Sequence, residues 1–350
     1  MRTARTRIDT QTHAEGGNTR PAATGTVEAT MVTALNLGLR ELLREDPDVL
    51  ILGQDVGWDG GVFRVTEGLI QEFGEHRVID TPLAEASIAG AAVGMALRGL
   101  KPIAEMQFSG FSYQAFHQVE QHMSRYRNRT RGRYHCQLVV RMPYGGGIRA
   151  IEQHSESREV CYAHLPGIKL VVPSGPRNAR ALLRASALDP DPVIFFEPKA
   201  SYRAFKEMIP TQPETMPIGQ AQVAREGKDI TLVSYGAMMR PTLEAADELA
   251  EQGVRAEVID LLSVSPLDGR TVCASVEKTG RCVVVHEAPR HLGVAAEVIA
   301  RVVENSLLYL EAPIRRVTGY DVIIPFFAKE KYYLPDAARV VKAARETLDF

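Results

Sequence analysis

Short apolar runs alternate with helical patterns over most of this chain, and the alternation restricts the fold more than any other feature. Residues 49–52, 138–141 and 193–196 have the apolar composition that is typical of buried strands. Parallel strands need crossover connections, which helices usually supply. The pattern therefore predicts an α/β fold, in which mostly parallel sheets are covered by helices on both faces in three layers.

The alternation occurs twice, and the interruption between the two stretches predicts two domains. Residues 27–200 form the first predicted domain, and residues 228–350 form the second. Between them, residues 201–227 are polar and rich in proline, which predicts a linker that wraps the surface. Residues 1–26 contain arginine, threonine and glycine without an apolar stretch, which indicates a disordered tail rather than a secretory signal.

Composition excludes several classes of partner. The formal net charge of −2 provides no electrostatic reason to expect nucleic acid or membrane binding. No apolar run approaches the roughly 20 residues that a membrane-spanning helix requires. The four cysteines have no CxxC spacing, so neither a metal site nor a disulfide framework is expected. These features favour a reducing compartment, either the bacterial cytoplasm or, in a eukaryote, the mitochondrial matrix.

The stretch Asp80-Thr81-Pro82-Leu83-Ala84-Glu85 joins a predicted strand to a predicted helix of small apolar residues at 86–97. Pro82 lacks an N–H and disfavours helix in the residue before it, so the strand must end there. Glu85 falls in the first turn of the helix, where an isolated carboxylate is usually only a cap. The helix is apolar nearly all round and is expected to be buried. A carboxylate at the N-terminus of such a helix would be shielded from water more than usual, which makes Glu85 the first candidate for proton transfer.

Six motifs follow one another along the chain in an order that is specific to one family. They are Gly60-Gly61-Val62-Phe63-Arg64-Val65-Thr66-Glu67-Gly68-Leu69, the stretch ending at Glu85, Pro143-Tyr144-Gly145-Gly146-Gly147-Ile148, His154-Ser155, Phe195-Phe196-Glu197-Pro198-Lys199 and His286-Glu287-Ala288-Pro289-Arg290. From about residue 28 to residue 340, the chain resembles the β subunit of the thiamine-diphosphate-dependent, decarboxylating first component of 2-oxo acid dehydrogenase complexes. The resemblance implies a transketolase-like fold, with a pyrimidine-binding domain followed by a transketolase C-terminal domain.

The resemblance also implies partners. It implies an α2β2 heterotetramer with cofactor sites between α and β, and contacts with the lipoyl and peripheral-subunit-binding domains of the acyltransferase component. Thiamine enzymes that hold the whole cofactor carry a Gly-Asp-Gly motif for magnesium and the diphosphate, and this sequence contains no Gly-Asp-Gly. We therefore expect the α subunit to hold the magnesium ion and this chain to supply half of the thiamine diphosphate site.

Site residues carry over from the family pattern position by position. The resemblance implies that Glu85 hydrogen-bonds to the aminopyrimidine ring, that Leu83 and Gln107 flank the ring, and that Phe111 packs on it. Without the family match, Phe111 would be interpreted as a core aromatic. His154 matches a His-Ser motif at the active-site entrance that assists acyl transfer to the lipoyl group, although a lone histidine is more often structural.

A weaker correspondence concerns potassium, which relatives bind largely through backbone carbonyls. The matching positions are Leu138, Ser186, Ala187, Asp189 and Asp191. One departure from the family pattern lies near the predicted entrance, where Arg149 follows the triple glycine in place of a small residue. That substitution affects the expected shape of the substrate funnel.

The substrate is the least constrained expectation. The Phe195-Phe196-Glu197-Pro198-Lys199 motif, with Tyr202 and Arg203, is more similar to branched-chain 2-oxo acid enzymes than to pyruvate enzymes. The alternatives are a pyruvate or acetoin dehydrogenase β subunit, or a subunit whose main task is docking. The presence of both Glu85 and His154 favours an enzyme subunit over a docking subunit.

Overall fold

The computed structural model describes residues 25–350. The predicted tail, residues 1–26, lies outside the described residues apart from Gly25 and Thr26, and Thr26 is already part of the first strand. The strands are β1 (Thr26–Ala29), β2 (Val49–Gly53), β3 (Val78–Asp80), β4 (Lys101–Glu105), β5 (Val139–Tyr144), β6 (Lys169–Val171), β7 (Val193–Pro198), β8 (Glu207–Pro210), β9 (Gln222–Arg225), β10 (Ile230–Ser234), β11 (Ala256–Asp260), β12 (Ser263–Ser265), β13 (Cys282–Val285) and β14 (Arg315–Val317). The α-helices are α1 (Met31–Glu45), α2 (Leu69–Phe73), α3 (Glu85–Leu97), α4 (Tyr113–Gln118), α5 (Tyr126–Arg129), α6 (Glu159–Ala163), α7 (Pro176–Leu188), α8 (Met239–Glu251), α9 (Gly269–Thr279), α10 (Val294–Ser306), α11 (Glu330–Tyr333) and α12 (Ala337–Leu348).

The larger sheet has seven strands in the order β12-β6-β7-β5-β4-β2-β3. Neighbouring strands are parallel except for the pair β12 and β6. Successive residues of a strand point to opposite faces, and β2 follows this rule: Leu50 packs in the cluster that contains α3, whereas Val49 packs in the cluster that contains α1 and α7. The sheet is therefore covered on both faces, as the alternation predicts.

The smaller sheet has five strands in the order β14-β13-β10-β11-β9, and only β9 runs antiparallel to its neighbour. Helices α8 and α12 pack against one face around Leu232 and Val340. On the other face, Val284 and Val298 join the same buried cluster as Leu50 of the larger sheet. Two α/β domains with mostly parallel sheets are thus confirmed, and they share a continuous core.

The stretch predicted as a linker contains two short strands. β8 pairs antiparallel with β1, and β9 forms the edge of the smaller sheet. A third unexpected strand, β12, follows the second-domain strand β11 but pairs with β6 of the larger sheet. These strands have only three or four residues each, so their pairing depends on distant partners rather than on local pattern. The boundaries 27–200 and 228–350 stay predictions.

Two helices differ from their predicted forms. The sequence predicts one polar-aromatic helix from Ser109 to about Asn128. The structure instead has a 3₁₀ turn (Ser109–Phe111), α4, a π-helical segment (Val119–Met123) and α5 there. Helix α3 was expected to be buried all round, but Ser87, Ala91 and Gly94 leave one face exposed in this chain. Within the described residues, no helix has the length and apolar character needed to cross a membrane.

Candidate active site

The carboxyl ends of β2, β3 and β4 meet at one edge of the larger sheet. Gly53 lies opposite Asp80 on one side and Glu105 on the other. The Asp80 carboxylate accepts hydrogen bonds from the backbone N–H groups of Gly57 (2.6 Å) and Trp58 (3.2 Å). These bonds fasten the glycine-rich loop after β2 to the end of β3. Open α/β sheets bind ligands at this kind of edge.

Glu85 is the first residue of α3 and follows β3 after a short connection. Its side chain is only 5% exposed, and its Oε2 is buried without a hydrogen-bond partner among residues 25–350. A buried carboxylate oxygen that lacks a donor costs free energy, so its surroundings suit a group that donates a hydrogen bond. The geometry therefore fits a ligand with an N–H or O–H group next to Glu85.

The other three predicted ring contacts lie in different environments. Leu83 is 67% exposed, which is unusual for a leucine so close to a buried carboxylate. The Gln107 amide follows β4 and donates from Nε2 to Oδ2 of Asp55 (2.7 Å). Phe111 is half-buried in the 3₁₀ turn that precedes α4. None of these contacts tests cofactor binding, so the assignment of Leu83, Glu85, Gln107 and Phe111 stays a prediction.

His154 lies against an aromatic cluster that includes Phe111. The ring centroid of His154 is 4.2 Å from that of Phe108 and 5.1 Å from that of Phe111. Its Nδ1 is buried with no hydrogen-bond partner in the described chain. Burial lowers the pKa of His154, and the nearby Lys199 ammonium lowers it further. The structure thus brings together two predicted site residues, with the imidazole biased toward its neutral form.

A buried ion-pair network lies beneath this region and was missed by the sequence analysis. Arg141 on β5 donates from Nη1 to Glu105 on β4 (2.6 Å) and from Nε and Nη2 to Glu197 on β7 (2.6 and 2.9 Å). Tyr202 donates its hydroxyl hydrogen bond to Glu197 (2.6 Å). Burial raises the pKa of Glu105, and the Arg141 charge opposes that shift. The sequence did contain a signal for this network, because each of the apolar strands β4, β5 and β7 carries one of these charged residues.

The motif that favoured a branched-chain substrate lies in the core. Phe195 and Phe196 are fully buried, and Phe196 stacks on Tyr144 with centroids 5.1 Å apart. The Glu197 carboxylate forms an ion pair with the Arg141 guanidinium. These three side chains therefore pack within the sheet, whereas Arg203 is exposed.

The predicted potassium positions cluster near the end of α7, but several of their oxygens already have partners. Those carbonyls accept hydrogen bonds as follows: Leu138 from Val193 N (3.0 Å), Ser186 from Asp189 N (3.4 Å) and Ala187 from Gln137 Nε2 (2.8 Å). The Asp189 carboxylate is paired with Lys169 (2.6 Å), and that of Asp191 with Arg127 (2.5 Å). Within residues 25–350, no group of three or more His, Cys, Asp or Glu side chains could hold a metal ion.

Comparison with known families matches both halves of the chain. Residues 27–204 match the transketolase pyrimidine-binding domain, and residues 219–340 match the transketolase C-terminal domain. The pyruvate dehydrogenase E1 component subunit beta of Bacillus subtilis is 46% identical over 323 residues, covering 92% of this chain and 99% of that protein. The protein of the same name from Staphylococcus epidermidis RP62A is 48% identical over the same coverage. A solved structure, the split gene transketolase as an inactive beta4 tetramer, superposes with a TM-score of 0.72 at 22% identity, covering 91% of this chain and 98% of that one.

The two matched domains and the shared fold define a transketolase-type chain of the thiamine-diphosphate class. Its relatives narrow the class further. The chain belongs to the family of β subunits of thiamine-diphosphate-dependent 2-oxo acid dehydrogenases, in their decarboxylating first component. The unpartnered carboxylate oxygen of Glu85 fits this cofactor, since the amino group of an aminopyrimidine supplies N–H donors.

Proposed function

We propose that this chain works with an α subunit, in an α2β2 assembly, as the first component of a pyruvate dehydrogenase complex. The observation that carries the proposal is the buried, unpartnered Glu85 carboxylate at the carboxyl edge of the larger sheet. Glu85 accepts a hydrogen bond from the aminopyrimidine, and Leu83, Gln107 and Phe111 border the ring. Thiamine diphosphate supplies the electron sink for decarboxylation when it is bound.

An α partner completes the site in this proposal. The sequence lacks the Gly-Asp-Gly motif for the diphosphate, so the α subunit holds the magnesium ion. Helix α3 presents Ser87, Ala91 and Gly94 on an exposed face directly beyond Glu85. Small residues allow close approach of another backbone, and this face is therefore assigned to the α subunit.

Pyruvate is favoured over branched-chain 2-oxo acids as the substrate. The curated relatives described above are named pyruvate dehydrogenase subunits, and they match over 92% of this chain. The contrary argument rested on the motif at residues 195–199 with Tyr202 and Arg203, and the two phenylalanines of that motif are fully buried in the sheet. The alternative named in the sequence analysis is therefore better supported than its main interpretation.

Later steps of the reaction involve His154 and the acyltransferase component. We assign His154 to acyl transfer onto the lipoyl group, because it has a neutral-biased imidazole beside Phe111. The C-terminal domain is assigned to docking of the peripheral-subunit-binding domain. A potassium ion near Leu138 and Ala187 stays a proposal, and it requires that the carbonyls accept a second interaction.

Two measurements test the proposal. Thiamine diphosphate with magnesium is titrated calorimetrically into this chain alone and into the chain assembled with its α subunit. We expect binding only in the assembly, and tight binding to the lone chain would contradict the shared site. The assembly is then supplied with pyruvate, 3-methyl-2-oxobutanoate or acetoin. We expect kcat/KM for pyruvate to exceed that for the branched substrate by at least about tenfold, whereas inactivity with all three would indicate a docking subunit.

A further inference from the structure

The triple glycine after β5 is held by two carboxylates from the C-terminal domain. Gly146 N donates to Oε2 of Glu287 at 2.8 Å. Glu330 accepts two hydrogen bonds, from Gly147 N to Oε1 and from Arg149 N to Oε2, each at 2.9 Å. Both glutamates are 3% exposed. The N–H groups of Gly146, Gly147 and Arg149 are therefore bound within the chain rather than left open for an anionic ligand.

This arrangement accounts for the glycines. Gly145 and Gly147 have backbone φ angles of +81° and +91°, which residues other than glycine rarely adopt. A Cβ on Gly145 would collide with the Glu287 carboxylate, and a Cβ on Gly147 would lie 2.7 Å from Cβ of Ala200. Arg149 has a φ of +57°, and its N–H is one of the two held by Glu330.

The same loop is connected to His154. Gly145 N donates to the carbonyl of Glu156 at 3.1 Å, two residues beyond His154. The Ser109 hydroxyl donates to that carbonyl from the turn that carries Phe111 (3.3 Å). The segment 145–156, which we call the His154 segment, is thus held by Glu287 and Glu330 at its beginning and by its own backbone at its end.

Lys199 contributes a compensating charge. Its Nζ is buried without a hydrogen-bond partner in the described chain, and it lies 5.7 Å from the centroid of the Phe108 ring. Burial lowers the pKa of Lys199 to about 7, although attraction to Glu287 and Glu330 opposes the shift. The two carboxylates that hold the loop therefore also lie near enough to Lys199 to affect its pKa.

We propose that Glu287 and Glu330 are positioning residues, which hold the His154 segment so that the imidazole stays packed against Phe108 and Phe111. The inference rests on the proposed role of His154 in acyl transfer. It assigns to the C-terminal domain a part in shaping this chain's half of the active site, whose other predicted residues lie in the pyrimidine-binding domain.

The two glutamates offer a matched pair of isosteric variants. Glu330→Gln replaces one of two accepting oxygens with an NH2 group, which cannot accept the second N–H. Glu287→Gln retains an oxygen for the single N–H of Gly146. The positioning role therefore predicts a large effect for Glu330→Gln and a small one for Glu287→Gln, although both variants replace a carboxyl group with an amide of the same shape.

The experiment combines hydrogen exchange with a single-turnover assay in the assembled α2β2 protein. Glu330→Gln is expected to speed amide exchange in the His154 segment about tenfold and to slow acetyl transfer to a lipoyl domain by a similar factor. Thiamine diphosphate affinity is expected to stay at the wild-type value. In a His154→Ala background, Glu330→Gln is expected to cause no further loss of transfer, because its effect acts through the imidazole.

Each contrary result has a separate meaning. Unchanged exchange in Glu330→Gln would overturn the proposal whatever His154 does. Suppose that Glu330→Gln speeds exchange but still slows acetyl transfer by the same factor in the His154→Ala background. That result would refute a positioning role that acts through the imidazole. If His154→Ala alone transfers acetyl groups at the wild-type rate, the proposed function of His154 fails and the positioning proposal fails with it, while hydrogen exchange still shows whether the loop is held.

Discussion

Glu85 combines burial, an unpartnered oxygen and a place at the start of a helix, and only the first two distinguish it from an ordinary cap. Glu85→Gln keeps the shape of the side chain but removes the proton acceptor. In the assembled protein, we expect the exchange rate of the thiazolium proton to fall by at least about 100-fold. Deuterium exchange followed by NMR measures that rate.

Glu75→Gln is the control for this prediction. Glu75 is exposed and makes no ion pair in the described chain, so the same chemical change there is expected to leave the exchange rate unaltered. If Glu85→Gln exchanges the proton as fast as wild type while binding the cofactor, the assignment of Glu85 is wrong.

At the same scale, sequence patterns predicted some environments and missed others. The strand–proline–helix pattern correctly placed Glu85 in the first turn of a helix, although that helix is not buried on every face as expected. The buried contacts of Arg141 were not predictable, because they join three strands that are separated by 36 and 56 residues along the chain. The burial of Phe195 and Phe196 was not predicted either, because a family motif does not record which side chains of a strand are covered by neighbouring elements.

Helix α3 has an exposed face of small residues, which the proposed function assigns to contact with the α subunit. A Cβ on Gly94 would meet no atom within 4 Å. Gly94→Leu is therefore expected to leave the fold of the isolated chain intact but to weaken assembly with the α subunit by at least about tenfold, because the larger side chain prevents close helix approach. Analytical ultracentrifugation of mixtures measures the assembly.

The control is Ala250→Leu, which places the same side chain on an exposed position of α8. It is expected to assemble normally. Normal assembly of Gly94→Leu would show that the exposed face of α3 is not the contact with the α subunit.

Elements with strong apolar character were predicted well, whereas short polar strands were not. Val32, Leu35, Leu39 and Leu42 recur at helical spacing, which predicts a helix over residues 30–45, and α1 buries all four of them. β9 was hidden in a predicted linker because three of its four residues are exposed and it pairs only with β11. β9 forms because it pairs with β11, and the local sequence of β9 does not reveal that pairing.

At the scale of the whole molecule, the two domains join through buried ionisable groups as well as through a common apolar core. Glu159 on α6 is fully buried and accepts a hydrogen bond from the hydroxyl of Tyr235 in the second domain (3.4 Å). Glu287 of the second domain lies close enough to oppose its ionisation. Ionisation of Glu159 is therefore a property of the domain junction and affects the stability of the complete chain.

Burial raises the pKa of Glu159 from 4.5 to about 8. Between these values the folded chain keeps a proton that the unfolded chain has released, so this group stabilises the fold at low pH and loses that contribution as the pH rises toward 8. Glu159→Gln stays neutral throughout and resembles the protonated acid. Relative to wild type, we expect the variant to be similarly stable near pH 4.5 and more stable by on the order of a few kcal/mol near pH 8. Tm measured across this range tests the difference, with the exposed Glu75→Gln as control, and parallel curves for Glu159→Gln and wild type would mean that Glu159 does not titrate at the junction.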